Sequence, residues 1–154
     1  MNISDILSPD SIDSNMVAAN KKAVFQQLAA AMARRTGRDS KSILVTLNER
    51  EKLGSTGFGA GVAIPHGKLD DLPAVTGYFA RLAAPVDFHA VDGLPVDLIF
   101  LLLSPSDAGA DHLKALAGMS RLLRDRDLIA KLRGARSRDA IFALLSGVEA
   151  LDAA

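Results

Sequence analysis

The sequence predicts an α/β sandwich, a mixed β-sheet of about five strands flanked by helices. Two observations carry that prediction. Segments with apolar residues at three-to-four spacing are interspersed along the chain with short β-type runs, rather than grouped apart from them. One of those runs, VDLIFLLL at 96–103, is almost wholly apolar, the pattern of a strand covered on both faces.

The elements follow in order. A helix is expected from Asn20 to Gly37: Asn20 caps it, Ala23, Val24, Leu28, Ala31 and Met32 make its apolar face, and Gly37 ends it. A second runs from Ser40 to Lys52, with Ile43, Leu44 and Leu47 on one side and Gly54 beyond its end. VAI at 62–64 is a short strand stopped by Pro65, TGYFARL at 76–82 is another, and Pro105 closes the strand that starts at Val96. A helix from about Ala110 to Arg124 follows, its buried stripe read as Leu113, Leu116, Ala117, Ser120 and Leu123, its polar face as Lys114 and Arg121. Short helices near 127–133 and 137–147 complete the fold, with a frayed tail at 150–154. No repeat, low-complexity tract or linker divides the 154 residues, so one domain is expected over 1–154, with its core at about 4–148.

Composition narrows the function. Eighteen basic and eighteen acidic residues balance, without the basic excess of a general nucleic-acid binder. The chain has no cysteine, which removes disulfides, thiol catalysis and thiolate metal sites. The N-terminal MNISDILSPDSIDSN lacks the basic and apolar regions of a signal peptide. The run LIFLLL at 98–103 is too short to span a bilayer, so the expectation is a soluble cytoplasmic protein without membrane insertion.

The informative stretch is GSTGFGAGVAIPHGK at 54–68, where Gly54, Gly57, Gly59 and Gly61 precede His66. Four glycines in eight residues are costly to order and exceed the needs of a single turn. Nucleotide signatures fail. The dinucleotide fingerprint would need glycine where Val62 stands, and a P-loop would need glycine at 62 and Ser or Thr where Leu69 stands. His66, His89 and His112 show no zinc-ligand spacing, and no G-x-S-x-G elbow supports a serine hydrolase. What remains is His66 itself as a nucleophile toward a phosphoryl group, served by close backbone N–H groups and a cation. Arg50, at the end of the second helix, offers a guanidinium fork suited to phosphate oxygens. His112 falls in the first turn of a later helix, where free N–H groups and the dipole favour an anion. Periodicity alone does not bring these three together. Read singly, His66 is a structural histidine in a turn, Arg50 a solvated helix-end cation near Glu49 and Glu51, and His112 a helix-start residue.

The runs REKLGSTGFGAGVAIPHGK at 50–68, VDGLPVDLIFLLLSP at 91–105 and ADHLKALAGMSRLLRD at 110–125 resemble the enzyme IIA domains of the bacterial phosphotransferase system. The resemblance is to the mannitol/fructose class, nearest its nitrogen-related member, and extends over nearly the whole chain. It implies a mainly five-stranded α/β sandwich in which His66 is phosphorylated by a histidine phosphocarrier protein, Arg50 stabilises phosphate, and His112 is the second active-centre histidine and a hydrogen-bonding partner. Gly67 is structural, and Ser55 or Thr56 supports the loop. No cofactor or metal is implied. In the nitrogen branch the carrier regulates targets such as potassium-transport proteins and a sensor kinase; motif wording and a stand-alone reading of the chain favour that branch. Two alternatives stand beside it: a sugar-specific enzyme IIA passing phosphate to an enzyme IIB for fructose or mannitol uptake, and an unphosphorylated protein-binding module.

Three surface readings complete the expectation. Phe58 and Ile64 are candidates for an apolar docking rim around the charged centre. His89 is a surface or loop residue. Arg121, Arg124, Arg126, Lys131 and Arg133, interleaved with Asp125 and Asp127, form a solvated helical surface.

Overall fold

The computed structural model describes residues 2–153, with side chains through residue 147. Its elements run α1 (Ile3–Ile6), a 3-10 turn (Pro9–Ser11), β1 (Ile12–Met16), α2 (Lys21–Thr36), α3 (Ser40–Lys52), β2 (Gly57–Gly59), β3 (Val62–Ala63) and β4 (His66–Leu69). After these come β5 (Thr76–Val86), β6 (Val96–Pro105), α4 (Ala110–Leu122), α5 (Arg126–Gly134) and α6 (Arg138–Ala153). The expected mixed sheet flanked by helices is what forms, with strand order β1-β5-β6-β3-β2 and β4 also paired to β6. β5 and β6 are antiparallel, whereas β1 runs parallel to β5, and β3 and β4 run parallel to β6.

The strand β6 is the spine of the sheet, and its alternation creates two cores. Ile99, Leu101 and Leu103 point into one, filled by Phe25, Leu28 and Met32 of α2 and Ile43 and Leu47 of α3. Leu98, Phe100 and Leu102 point into the other, closed by Met119 of α4, Leu128 and Leu132 of α5 and Ile141 of α6. Both sides of β6 are therefore dry, which is why its sequence shows no polar alternation.

The helix boundaries follow local chemistry. The Asn20 side chain accepts from the Ala23 N–H at 2.8 Å, and Gly37 ends α2 in the left-handed region with φ of 72°. Asp39 caps α3 through the Ser42 N–H. Several expectations need correction. The buried face of α4 is His112, Ala115 and Met119, continued by Leu123, while Leu113 is 66% exposed. Of the expected stripe, Leu123 is buried and Leu116 packs partly buried against the second core, whereas Leu113 and Ala117 are exposed and His112, which reads as polar, takes the inward position. α6 continues through Ala153 where a frayed tail was expected, and Ala154 lies outside the described residues.

Five elements went unread: α1, the 3-10 turn, β1, β2 and β4. β1, IDSNM, buries only its end residues Ile12 and Met16, so its sequence is nearly polar and turn-like. β4 was hidden by Pro65. That residue has no N–H and interrupts the ladder, yet its carbonyl accepts from the Leu102 N–H at 3.0 Å. Val62 lies opposite Leu98 and His66 opposite Leu102, so the register is the same on both sides of the proline. β3 and β4 are one interrupted strand, and the six strands occupy five positions. Among the described residues no helix is long and apolar enough to cross a membrane.

Candidate functional site

His66 opens β4 immediately after the interruption, half-buried beside the second core. Its Nδ1 lies 2.8 Å from the Ile64 carbonyl oxygen. A carbonyl only accepts, so Nδ1 carries the proton and the lone pair of the neutral ring is at Nε2. Arg50 Nε–H donates to that Nε2 at 3.2 Å, while Arg50 Nη1 donates to the Gly54 carbonyl at 2.9 Å. Burial, and secondarily the Arg50 charge, hold the His66 pKa below its ordinary 6.5 against the opposing effects of the Ile64 hydrogen bond and Glu51. The lowered pKa favours the neutral ring, whose lone pair lies at Nε2 toward Arg50.

The second histidine arrives from the other side of the sequence. His112 lies near the start of α4, which has Gly109 at its N-cap and no side-chain cap. Its Nδ1 is 2.6 Å from the hydroxyl of Ser104, a fully buried residue on β6 two positions beyond Leu102, the partner of His66. The His66 and His112 rings stand 5.8 Å apart between centroids at an angle of 47°. Burial first, then the proximity of the His66 ring, which disfavours charge on both imidazoles at once, and the Lys68 charge lower the His112 pKa as well. The structure thus gathers His66, Arg50 and His112 from a strand and two helices on opposite faces of the sheet.

Arg50 is delivered by the packing of α3. A Cβ on Gly67 would stand 2.5 Å from Thr46 Cγ2, so the bare glycine lets the helix lie close against β4. Thr46 and Arg50 share one face of α3, a turn apart, and that approach places the guanidinium at the ring. The next residue, Glu51, fixes the loop. Its carboxylate accepts from the Thr56 N–H at 2.9 Å and the Thr56 hydroxyl at 2.7 Å, and pairs with Lys21 Nζ at 2.8 Å. Lys21 also donates to the Phe88 carbonyl at 3.0 Å and lies over the Phe88 ring. Ser55 donates to the same carbonyl and accepts from the Gly57 N–H. Both Ser55 and Thr56 support the loop, as expected.

Glu51, Lys21 and Ser104 escaped sequence reasoning. Glu51 stands inside the motif REKLGSTG, next to Arg50, and that proximity was its available signal. Lys21 and Ser104 had none, since each meets its partner only through tertiary packing. The glycines also act differently from the expectation. Gly59, Ala60 and Gly61 have positive φ, and Ala60 and Gly61 are the two-residue turn that joins β2 to β3. Gly61 leaves room for Arg133, whose Nη2 donates to the Ala60 carbonyl at 2.8 Å and which forks onto Asp97 at 2.8 and 2.9 Å. Arg133 is therefore a clamp and departs from the solvated surface that Arg121, Arg124, Arg126 and Lys131 do form.

Ile64 is 3% exposed, packed in the second core, and does not form a docking rim; its place on the inward face of the interrupted strand is the reason. Phe58 is partly buried against the same core. His89 is on the surface as expected, its side chain 81% exposed.

The chain matches the family described as "Phosphoenolpyruvate-dependent sugar phosphotransferase system, EIIA 2" over residues 5–148. It is 51% identical over 146 residues to the nitrogen regulatory protein of Bradyrhizobium diazoefficiens, covering 95% of each chain. The crystal structure of the nitrogen regulatory protein IIA-Ntr from Neisseria meningitidis superposes with a TM-score of 0.89 at 36% identity, over 93% of this chain and 98% of that one. The fructose-specific EIIA component of a phosphotransferase system in Haloferax volcanii is 40% identical over 110 residues, 71% of each chain.

Proposed function

Because this chain belongs to the EIIA 2 family of the phosphoenolpyruvate-dependent sugar phosphotransferase system, we propose that it is a cytoplasmic phosphoryl carrier of the nitrogen-related branch. His66 accepts the group on Nε2 from a histidine phosphocarrier protein, and the phosphorylation state of the chain regulates partner proteins, with potassium-transport proteins and a sensor kinase as candidate targets. The observation that carries this reading is the state of the ring: Nδ1–H is held by the Ile64 carbonyl, which leaves the lone pair at Nε2, where it accepts from the Arg50 Nε–H.

The Nε2 lone pair attacks the phosphorus of the donor's phosphohistidine. A new N–P bond forms as the donor's N–P bond breaks, and that electron pair returns to the donor's ring nitrogen. The Nδ1 proton stays in place throughout, and the Ile64 carbonyl stabilises the positive charge that the ring acquires as it bonds. Once Nε2 is occupied it no longer accepts from Arg50, whose fork turns to the phosphoryl oxygens. With the Ser104 hydroxyl as hydrogen-bond donor to His112 Nδ1, the single N–H proton of the neutral ring sits on Nε2, where it can donate to the moving group. The phosphorylated ring carries roughly two additional negative charges, by analogy with other phosphorylated side chains, enough to change which surfaces dock there.

The test is intact mass spectrometry after incubation with enzyme I, its phosphocarrier and phosphoenolpyruvate. An acid-labile phosphate is expected on the wild type and absent from His66→Ala. With donors of both branches shown to be active, an unphosphorylated wild type would overturn the carrier reading in favour of a binding module. The identity to a fructose-specific component favours a second reading, onward transfer to an enzyme IIB; sugar phosphorylation with a purified fructose or mannitol permease is the result expected from that alternative.

A further inference from the structure

The β2–β3 hairpin walls a second feature, apart from the histidines. A groove of about 930 Å³ lies between its tip, the 91–95 loop and the junction of α4 and α5, and neither His66, Arg50 nor His112 lines it. Phe58, Leu123, Ile129 and Ala130 contribute its apolar lining, and Val91 and Leu94, 88% and 52% exposed, extend apolar surface along the rim. The walls are pinned: Arg133 is spent on Asp97 and the Ala60 carbonyl, and the Asp92 carboxylate accepts from the Ala60 and Leu94 N–H groups.

Arg124 and Arg126 also reach the groove, and among the described residues neither guanidinium has a hydrogen-bond or ion-pair partner. Both aspartates of the lining are already engaged, Asp97 by Arg133 and Asp92 by backbone N–H groups. An apolar cavity of this size with a few convergent polar groups is the usual form of a small-molecule site. Two unspent guanidinium forks beside it select a negatively charged end.

We propose that this groove binds a small organic anion, an aromatic or acyl body bearing a carboxylate, phosphate or sulfonate, with the body on the apolar lining and the anionic group on Arg124 and Arg126. The site is independent of the phosphoryl site but shares its hairpin, whose stem Thr56 is tied to Glu51 beside Arg50.

The probe is 8-anilinonaphthalene-1-sulfonate, compared with its uncharged analogue N-phenyl-1-naphthylamine, on the full chain. Saturable fluorescence with the sulfonate is expected, weakened about tenfold or more in the Arg124→Glu/Arg126→Glu variant, with the weaker binding of the neutral analogue little changed. Ala130→Trp, which fills the groove and leaves both arginines, should abolish binding while circular dichroism reports an intact fold. Amide shifts on sulfonate binding should fall at 58–61, 91–97 and 123–133. Wild-type affinity in the double variant, equal affinity for the neutral analogue, or shifts elsewhere would overturn the proposal. So would a concentration-dependent dimer that the sulfonate dissociates and Ala130→Trp prevents, since the groove would then be covered by a second copy.

Discussion

His66 and His112 stand 5.8 Å apart, yet they are held in different ways. His66 is tied at Nδ1 by the backbone of its own strand, and its Nε2 faces a cation on a helix from the first core. His112 is tied by a side chain, the buried Ser104 hydroxyl, and belongs to a helix of the second core. A carbonyl can impose only one tautomer, whereas a hydroxyl can donate or accept. The Ile64 carbonyl therefore fixes the first ring as the Nδ1–H tautomer, while the second ring follows whichever way the Ser104 hydroxyl points. That difference can be sharpened or broken by experiment.

The largest effect is expected on the cation at the His66 side. Arg50→Ala should slow phosphoryl transfer to His66 by about 10²–10³-fold with stability nearly unchanged, the loss typical of one charge-stabilising donor. Rapid-quench transfer kinetics would measure it, and a change below threefold would remove Arg50 from the reaction.

Next comes the packing that delivers Arg50. Gly67→Ala brings a Cβ against Thr46 Cγ2, and should cost about 1–3 kcal/mol by urea unfolding and slow transfer by displacing α3. Thr46→Ser removes the methyl in conflict and should restore much of both losses in the double variant. No rescue would mean that the close approach of α3 to β4 does not position the guanidinium.

On the His112 side the effect should be smaller. Ser104→Ala leaves buried His112 Nδ1 without its partner, at a cost of about 1–3 kcal/mol, and frees the ring's tautomer. Transfer should fall only severalfold, and nitrogen-15 spectra should show His112 mixing tautomers while His66 keeps its proton on Nδ1. A matching change at His66 would show that the two rings are set as one unit.

The smallest effect is the pH dependence of stability. The folded His66 pKa lies below 6.5, so on acidification the unfolded chain takes up a proton before the folded chain does. Stability is full above pH 6.5 and declines as pH falls from there toward the folded pKa. His112 adds the same sign. His66→Gln should therefore flatten, without abolishing, the decline in urea midpoint between pH 7.5 and 5; an unchanged slope would exclude burial of His66 as its source.

The parts of this molecule legible in the chain are those in which neighbours in sequence decide the outcome. The A-I-P-H-G-K run with its upstream arginine marks the candidate site through family resemblance; Asn20 and Gly37 frame α2, and the apolar run of β6 announces a strand covered on both faces. Local steric and hydrogen-bonding preferences suffice there, because capping, left-handed turns and apolar periodicity act within a few residues. What needed the folded chain is everything resting on long-range contact. β1 and β4 are strands because β5 and β6 supply their ladders, and HGKL after a proline has no local reason to be one. The tie of Ser104 to His112 across the end of β6 and the start of α4, the pairing of Glu51 with Lys21, and the room that Gly67 leaves for Thr46 all depend on how separate elements pack. Sequence spacing carries the kinds of groups available, but their distances are set by how β6 divides its side chains between the two cores, and that division is a property of the packed whole.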